Sequence, residues 1–251
     1  MLISHLNRLF KNRWKRVLLL VLILMPTFDL IINYNYYSLN NTKPYLIAFV
    51  CCAGCPHLMQ ELYYWIMPVY FMLLIGDDVL EDITTGYKEI LVNKVGKKKY
   101  CIEKLGSSFL VSFFIMLIGL LINLLFVSIL FHNGSYEPSG GDYCGGILEV
   151  LYDSHPYLAI LGFSIILSLF AGMSGALGAA CGLFYRERKL AYAAAFFVWY
   201  LLVNRRESIV LVFQPFDEYP FSIISRIFGY SMGALLLVIL TFYIYAVKYD
   251  E

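Results

Sequence analysis

Long apolar runs, rather than alternating faces, organise this chain, and dense charge interrupts them at only a few places. A helix crossing a bilayer needs about 20 predominantly apolar residues rising 1.5 Å each. Residues 14–34 supply that length, although Pro26 and Asp29 interrupt them. Residues 106–131 and 157–184 are long enough to span with tilt or to run on past the bilayer. Residues 189–203 are short but continuous, and 227–247 form a clean last run. Between 44 and 76 the only charge is Glu61. A single helix of that length would reach roughly 50 Å, against a hydrocarbon core of about 30 Å. The pattern therefore predicts a span over 60–76 and an external re-entrant or interfacial segment over 44–59, broken by Gly54 and Pro56. The expected fold is an all-α integral membrane protein, one transmembrane domain over 1–251 with six transmembrane helices.

Composition agrees with that reading. The chain is 60% hydrophobic and only 15% charged, where soluble domains carry about 25% charged residues. The net charge of +1 says less than its distribution. With both termini cytoplasmic, the segments 1–16, 77–105, 185–189 and 248–251 hold all the Lys and Arg except Lys43, Arg205, Arg206 and Arg226. That is the bias of the positive-inside rule, and a full span over 44–59 would put the lysine-rich loop outside. A basic start before an apolar run also has the form of a signal peptide. No small-residue cleavage site follows, only PTFDLIINYNYY, so a retained signal anchor is expected. The clusters NYNYY (33–37) and YYW (63–65) fall at expected external boundaries, where amphipathic rings anchor spans.

Several chemistries lack their residues. There is no G-x-x-x-x-G-K-[ST], no H-E-x-x-H and no G-x-S-x-G, and the histidines (His5, His57, His132, His155) are scattered. No catalytic residue, metal or resident cofactor is expected. CCAGC places Cys51, Cys52 and Cys55 in the external segment, and Cys144 lies in another external loop. They can pack as small apolar groups, form a disulfide with Cys144 in an oxidising exterior, or with His57 approach a zinc set. Asp29 lies roughly 18 Å into the first span. It is a structural acceptor near the outer interface or an intramembrane contact for cargo. In AGMSGALGAACG (171–182), Ala171, Gly175, Gly178 and Gly182 recur at helical spacing, a small-residue stripe suited to close helix packing or to a dimer seam.

The densest charge lies in GDDVLEDITTGYKEILVNKVGKKK (76–99). Val79, Ile83, Tyr87, Ile90 and Leu91 follow a helical spacing, predicting one cytoplasmic helix over 79–93. Asp77, Asp78, Glu81 and Asp82 then sit near its N-terminus and Lys94 beyond its C-terminus, complementing the helix dipole. Gly96 offers a stop before KKKY. The i,i+4 pairs Asp77/Glu81 and Asp78/Asp82 also suggest a magnesium site for a diphosphate substrate, as in membrane prenyl transferases. The other cytoplasmic acids supply no second cluster to face it.

These residues carry a resemblance. An acidic position (Glu81 or Asp82), Gly86 within a short cytoplasmic helix, a basic turn at Lys94 to Lys99, and Lys104 at the start of span three resemble the ABC-2 type permeases. GDDVLEDITTGYKEIL…KKKYCIEKLGSSF resembles especially the small Gram-positive-type permeases that work with a separate ATPase. The six-span layout, the Gly-rich fourth span and the external segment 204–226 fit as well, so most of the chain is covered. LVNKVGKK departs from many relatives in lacking an Arg. The resemblance implies a type V exporter-like permease subunit whose coupling helix carries Glu81, Asp82, Ile83, Gly86, Tyr87, Lys88, Ile90, Leu91 and Lys94 to an ATPase subunit. It implies a second permease copy or homologue, with ATP and magnesium bound by the partner ATPase. LNRLFKNRWKRV within 1–16 resembles the basic interfacial elbow helix of that family, lying on anionic lipid. The implied activity is export of, or self-immunity to, a hydrophobic or amphipathic cargo (a peptide or bacteriocin, a lipid or a drug) at the bacterial plasma membrane.

Overall fold

In the computed structural model, residues 2–39, 58–132, 154–213 and 219–248 are described, and among them all regular structure is helical. α1 (Leu2–Lys11) breaks at Asn12, whose side chain accepts from the Trp14 amide, and α2 (Arg13–Leu39) follows. α3 (Leu58–Trp65), α4 (Met67–Phe71) and a π-helical segment (Met72–Gly76) run into α5 (Asp77–Thr84). α6 (Tyr87–Val95) leads to α7 (Lys97–Leu130). α8 (Pro156–Tyr185), α9 (Arg188–Val203), a 3₁₀ turn (Ile209–Phe213) and α10 (Phe221–Lys248) complete the order. Three of these, α7, α8 and α10, are each long and apolar enough to cross a membrane.

α8 is the hub, packed against α7, α9, α10 and α4. Its most apolar stretch is 67% buried, against 22% for α10. Small residues make this enclosure sterically feasible. A Cβ on Gly175 would lie 2.1 Å from Ser112 Oγ and 2.9 Å from the Ser108 carbonyl oxygen of α7. A Cβ on Gly178 would lie 3.3 Å from Met72, and one on Gly182 would lie 3.5 Å from Leu80. Ala171 is also fully buried. The stripe Ala171, Gly175, Gly178 and Gly182 is thus filled by the chain's own helices.

Two prolines shape the remaining helices by the same physics. Proline lacks an N–H, so the carbonyl four residues earlier loses its helical donor, and in a membrane that carbonyl needs another partner. Pro26 strands the Leu22 carbonyl, and the buried Tyr63 hydroxyl donates to it at 3.3 Å. Pro68 strands the Tyr64 carbonyl, and the buried Trp199 Nε1–H donates to it at 2.8 Å. Asn123 of α7 adds a bond to the Pro26 carbonyl at 2.9 Å. Trp199→Phe keeps most of the ring volume but leaves the Tyr64 carbonyl without this donor. Thermal unfolding in detergent should register a loss of about 1 kcal/mol.

The structure departs from the sequence expectations at definite places. The helix expected over 79–93 is two helices, because the Thr84–Thr85–Gly86 run ends α5 and Gly86 adopts φ 72° before α6. The region 60–76 is not one regular helix but α3, α4 and a π segment, broken at Ile66 ahead of Pro68. α7 begins at Lys97, well before residue 106. The segment 44–59 lies outside the described residues except for its last two positions, which belong to α3. Cys51, Cys52, Cys55, Cys144 and the side chain of Asp29 also lie outside them, so the disulfide and cargo expectations have no geometry here.

Candidate functional site: a charged hairpin at one end of the bundle

α5 and α6 form a hairpin at the bundle end where α1 ends, α7 begins and α8 passes to α9. α5 carries four carboxylates in eight residues, and three of them are partnered by cations from four other helices. Asp82 is 1% exposed, yet Lys104 Nζ of α7 lies 2.5 Å from its Oδ2 and Arg8 of α1 lies 2.7 Å from its Oδ1. The Tyr100 hydroxyl donates to the same Oδ2 at 3.3 Å. Asp78 is 2% exposed and bonds Lys15 of α2 at 2.6 Å. Asp77, at the junction of the π segment and α5, meets Arg188 of α9 at 3.3 Å.

Burial decides what each pair contributes. Lys104 and Asp82 are both nearly sealed, so neither can be left alone without an uncompensated charge. Arg188 is largely exposed, and its pairing with Asp77 is correspondingly screened. Burial pushes the Asp77 carboxyl above its ordinary value, and Arg188 only partly counters that. The nearby Tyr192 hydroxyl also counters that rise, although it stops short of a well-formed hydrogen bond to Asp77.

α6 has the opposite character. None of its residues is buried. Leu91, Val92 and Val95 are half-buried against the ends of α7, α8 and α10. On the outer side, Tyr87 is 39% exposed and Ile90 63% exposed. The helix is bounded by two left-handed glycines, Gly86 at φ 72° and Gly96 at φ 85°, a conformation glycine adopts without the Cβ penalty of other residues. Neither glycine has a neighbour within 4 Å of where a Cβ would stand. α6 is therefore a short surface helix between two glycine turns.

The residues singled out in the sequence divide accordingly. Glu81, Tyr87, Ile90 and Lys94 are exposed, while Ile83, Lys88 and Leu91 are half-buried. Gly86 is the turn itself. Asp82 is corrected from a docking residue to a buried anchor, since a group 1% exposed cannot touch a partner. Lys104 is likewise not merely the start of a span but the counter-ion of Asp82. Arg8, Lys15, Arg188 and Tyr100 are partners of these carboxylates that helical spacing does not reveal. The basic, amphipathic start of the chain was the available signal for the first two.

The arrangement bears on metal binding. Asp77, Asp78 and Asp82 point to cations on different helices, so their charges are already matched within the chain. Among the described residues no group of three or more metal-ligating side chains converges.

A model of the family described as "Protein of unknown function (DUF2705)" matches residues 17–243. The chain belongs to the DUF2705 family. A curated relative, "Uncharacterized protein YybM" from Bacillus subtilis (strain 168), is 35% identical over 252 residues, covering 99% of both chains. No solved structure matches. The DUF2705 match takes in the whole hairpin, its counter-ions Lys104 and Arg188, all of α7 and α8 and most of α10, while Arg8 and Lys15 precede it.

Proposed function

We propose that this DUF2705 member is the transmembrane permease subunit of an ABC transporter, with six spans and α6 as the element that docks on a separate ATPase subunit. The observation that carries the reading is the contrast between α6 and its base. α6 presents Tyr87 and Ile90 outward between two glycine turns, while α5 behind it is tied by ion pairs to α1, α2 and α7. A partner gripping the exposed rod would move a rigid, charge-locked lever into the bundle. The remaining spans in this reading are α2, α3 with α4 and the π segment, and α9. The working unit comprises two permeases and two ATPases, with ATP and magnesium held by the latter. The cargo is a hydrophobic or amphipathic peptide, lipid or drug, exported across, or cleared from, a bacterial plasma membrane. The transferase alternative has no comparable support, because cations of the chain already match the acidic cluster.

The test is co-expression of the full chain with each ABC ATPase of its own genome lacking a fused permease, followed by affinity purification. One ATPase should co-purify and be stimulated by the chain. Tyr87→Glu/Ile90→Glu should abolish both effects while the unfolding temperature stays within about 2 °C, since both side chains are exposed. Association that is unaffected by these changes, or an ATPase activity indifferent to the permease, would sink the assignment. Asp82 is unsuitable for this test because its loss would perturb the fold itself.

A further inference from the structure

Where α1 lies against α2 and α7, the bundle leaves an apolar slot of about 440 Å³. Leu9 and Phe10 of α1, Leu19 and Ile23 of α2, and α7 from Leu110 to Ile118 enclose it, and every lining side chain is apolar. The chain itself closes both ends. At the hairpin end α1 is pinned, because Arg8 shares Asp82 with Lys104 of α7. At the other end α2 and α7 touch, since a Cβ on Gly119 would lie 3.4 Å from the Ile23 carbonyl oxygen and 3.5 Å from Ile23 Cα. Between these limits the slot follows α7 for about 12 Å. Phe114 and Ile118 stand exposed at its margin, so it opens sideways along a helix able to cross a membrane.

Such a space takes an apolar occupant. Water finds no hydrogen-bond partner among the lining side chains, and an unfilled slot forfeits the dispersion contacts of the atoms around it. The start of α2 describes the other end of that occupant. Arg16, Leu19 and Ile23 share one face of α2, so Arg16 heads the stripe that lines the slot, and Arg13 lies a turn before it. Both arginines are exposed, and no carboxylate pairs with either among the described residues. Lys15, between them, turns instead to Asp78. Trp14, also between them, is 82% exposed, and such amphipathic rings concentrate at the level of lipid headgroups. A cationic, aromatic turn above a dry slot complements an anionic head on a hydrocarbon tail.

We propose that this slot holds one acyl chain of an anionic phospholipid from the cytoplasmic leaflet, with Arg13 and Arg16 meeting its phosphate. The distribution of Lys and Arg along the sequence orients this end toward the cytoplasm. Anionic lipids of that leaflet attract basic segments beside a membrane helix. The bound chain fills the gap between α1 and α7 and so braces α1, whose Arg8 holds the hairpin through Asp82. The proposal depends on this orientation and not on the permease reading, so the two can fail separately.

The test uses the purified full chain in neutral detergent, titrated with dioctanoyl phosphatidylglycerol, dioctanoyl phosphatidylcholine or lauric acid. Native mass spectrometry counts the lipid retained, and thermal unfolding reports stability. One phosphatidylglycerol should be retained per chain and raise the unfolding temperature, and phosphatidylcholine should be retained less. Leu19→Trp fills the slot and should abolish retention, whereas Leu20→Trp, outside the slot on the same helix, should leave it unchanged. Arg13→Gln/Arg16→Gln alters only exposed side chains, so the fold survives it. It should weaken phosphatidylglycerol by about fivefold for each charge removed, and Lys94→Gln/Lys98→Gln should not. Equal retention by Leu19→Trp and Leu20→Trp overturns the proposal, as does an equal loss in the two double variants. Phosphatidylcholine retained as tightly as phosphatidylglycerol overturns the assignment of an anionic head. Lauric acid reproducing the full stabilisation assigns the slot to a free fatty acid instead. A dimer lost in Leu19→Trp, with phosphatidylglycerol retention intact, assigns it to a second copy of the chain.

Discussion

Asp82→Asn is expected to lower the unfolding temperature of the purified chain in detergent by on the order of 10 °C, the largest single effect of any polar substitution described. The substituted amide keeps the shape and loses the charge, leaving Lys104 only 3% exposed with no carboxylate beside it. Breaking a buried pair by removing one partner costs about 3–5 kcal/mol, and a chain of this size loses about 2–4 °C per kcal/mol. Arg8 contributes less to the loss because, at 31% exposed, it can turn to water. Asp82→Leu/Lys104→Met removes both buried charges and should recover most of the stability. If the double variant is no more stable than Asp82→Asn, the cost lies in packing and the ion-pair account is wrong. Glu81→Lys, one residue away on the exposed side of α5, serves as the control and should move the transition little.

Gly175→Ala is the second large effect. Ser112 Oγ can rotate away from the new methyl, but Ser112 Cβ at 2.8 Å and the Ser108 carbonyl oxygen at 2.9 Å are fixed to α7. The helices must separate along the most extensive interface of the bundle, α7 against α8. Overpacking of this kind costs about 1–3 kcal/mol, and Gly175→Val should exceed it. Gly229→Ala and Gly233→Ala in α10 meet nothing within 4 Å and should be neutral or stabilising by up to about 1 kcal/mol. Matched unfolding temperatures for the α8 and α10 variants would contradict the close approach.

The long apolar helices could be read from the sequence. α8 and α9 begin and end within a residue of the runs 157–184 and 189–203, because apolar length is a local property. The close-packed stripe of α8 was also legible, since small residues at helical spacing allow only close packing partners. The charged hairpin was half legible. Spacing in 76–99 put the carboxylates at the start of a single helix over 79–93, but it could not name Arg8, Lys15, Lys104 and Arg188, which come from four other helices. For the same reason it could not separate buried Asp82 from exposed Glu81. The break at Gly86 had a local signal in the two β-branched threonines before a glycine, which the continuous apolar spacing across it overrode.

The two proline-freed carbonyls carry a consequence for biogenesis. In the proposed six-span arrangement, α2 inserted by itself would hold the Leu22 carbonyl in hydrocarbon with neither a helical amide nor water to bond it. Its donor, Tyr63, comes from the segment synthesised next, whereas the donor for Tyr64 is Trp199, more than a hundred residues later. α2 and α3 can thus pair as soon as both emerge. The Tyr64 carbonyl of α3 lacks its side-chain donor until α9 arrives, so α9 docking is the step that completes this bond.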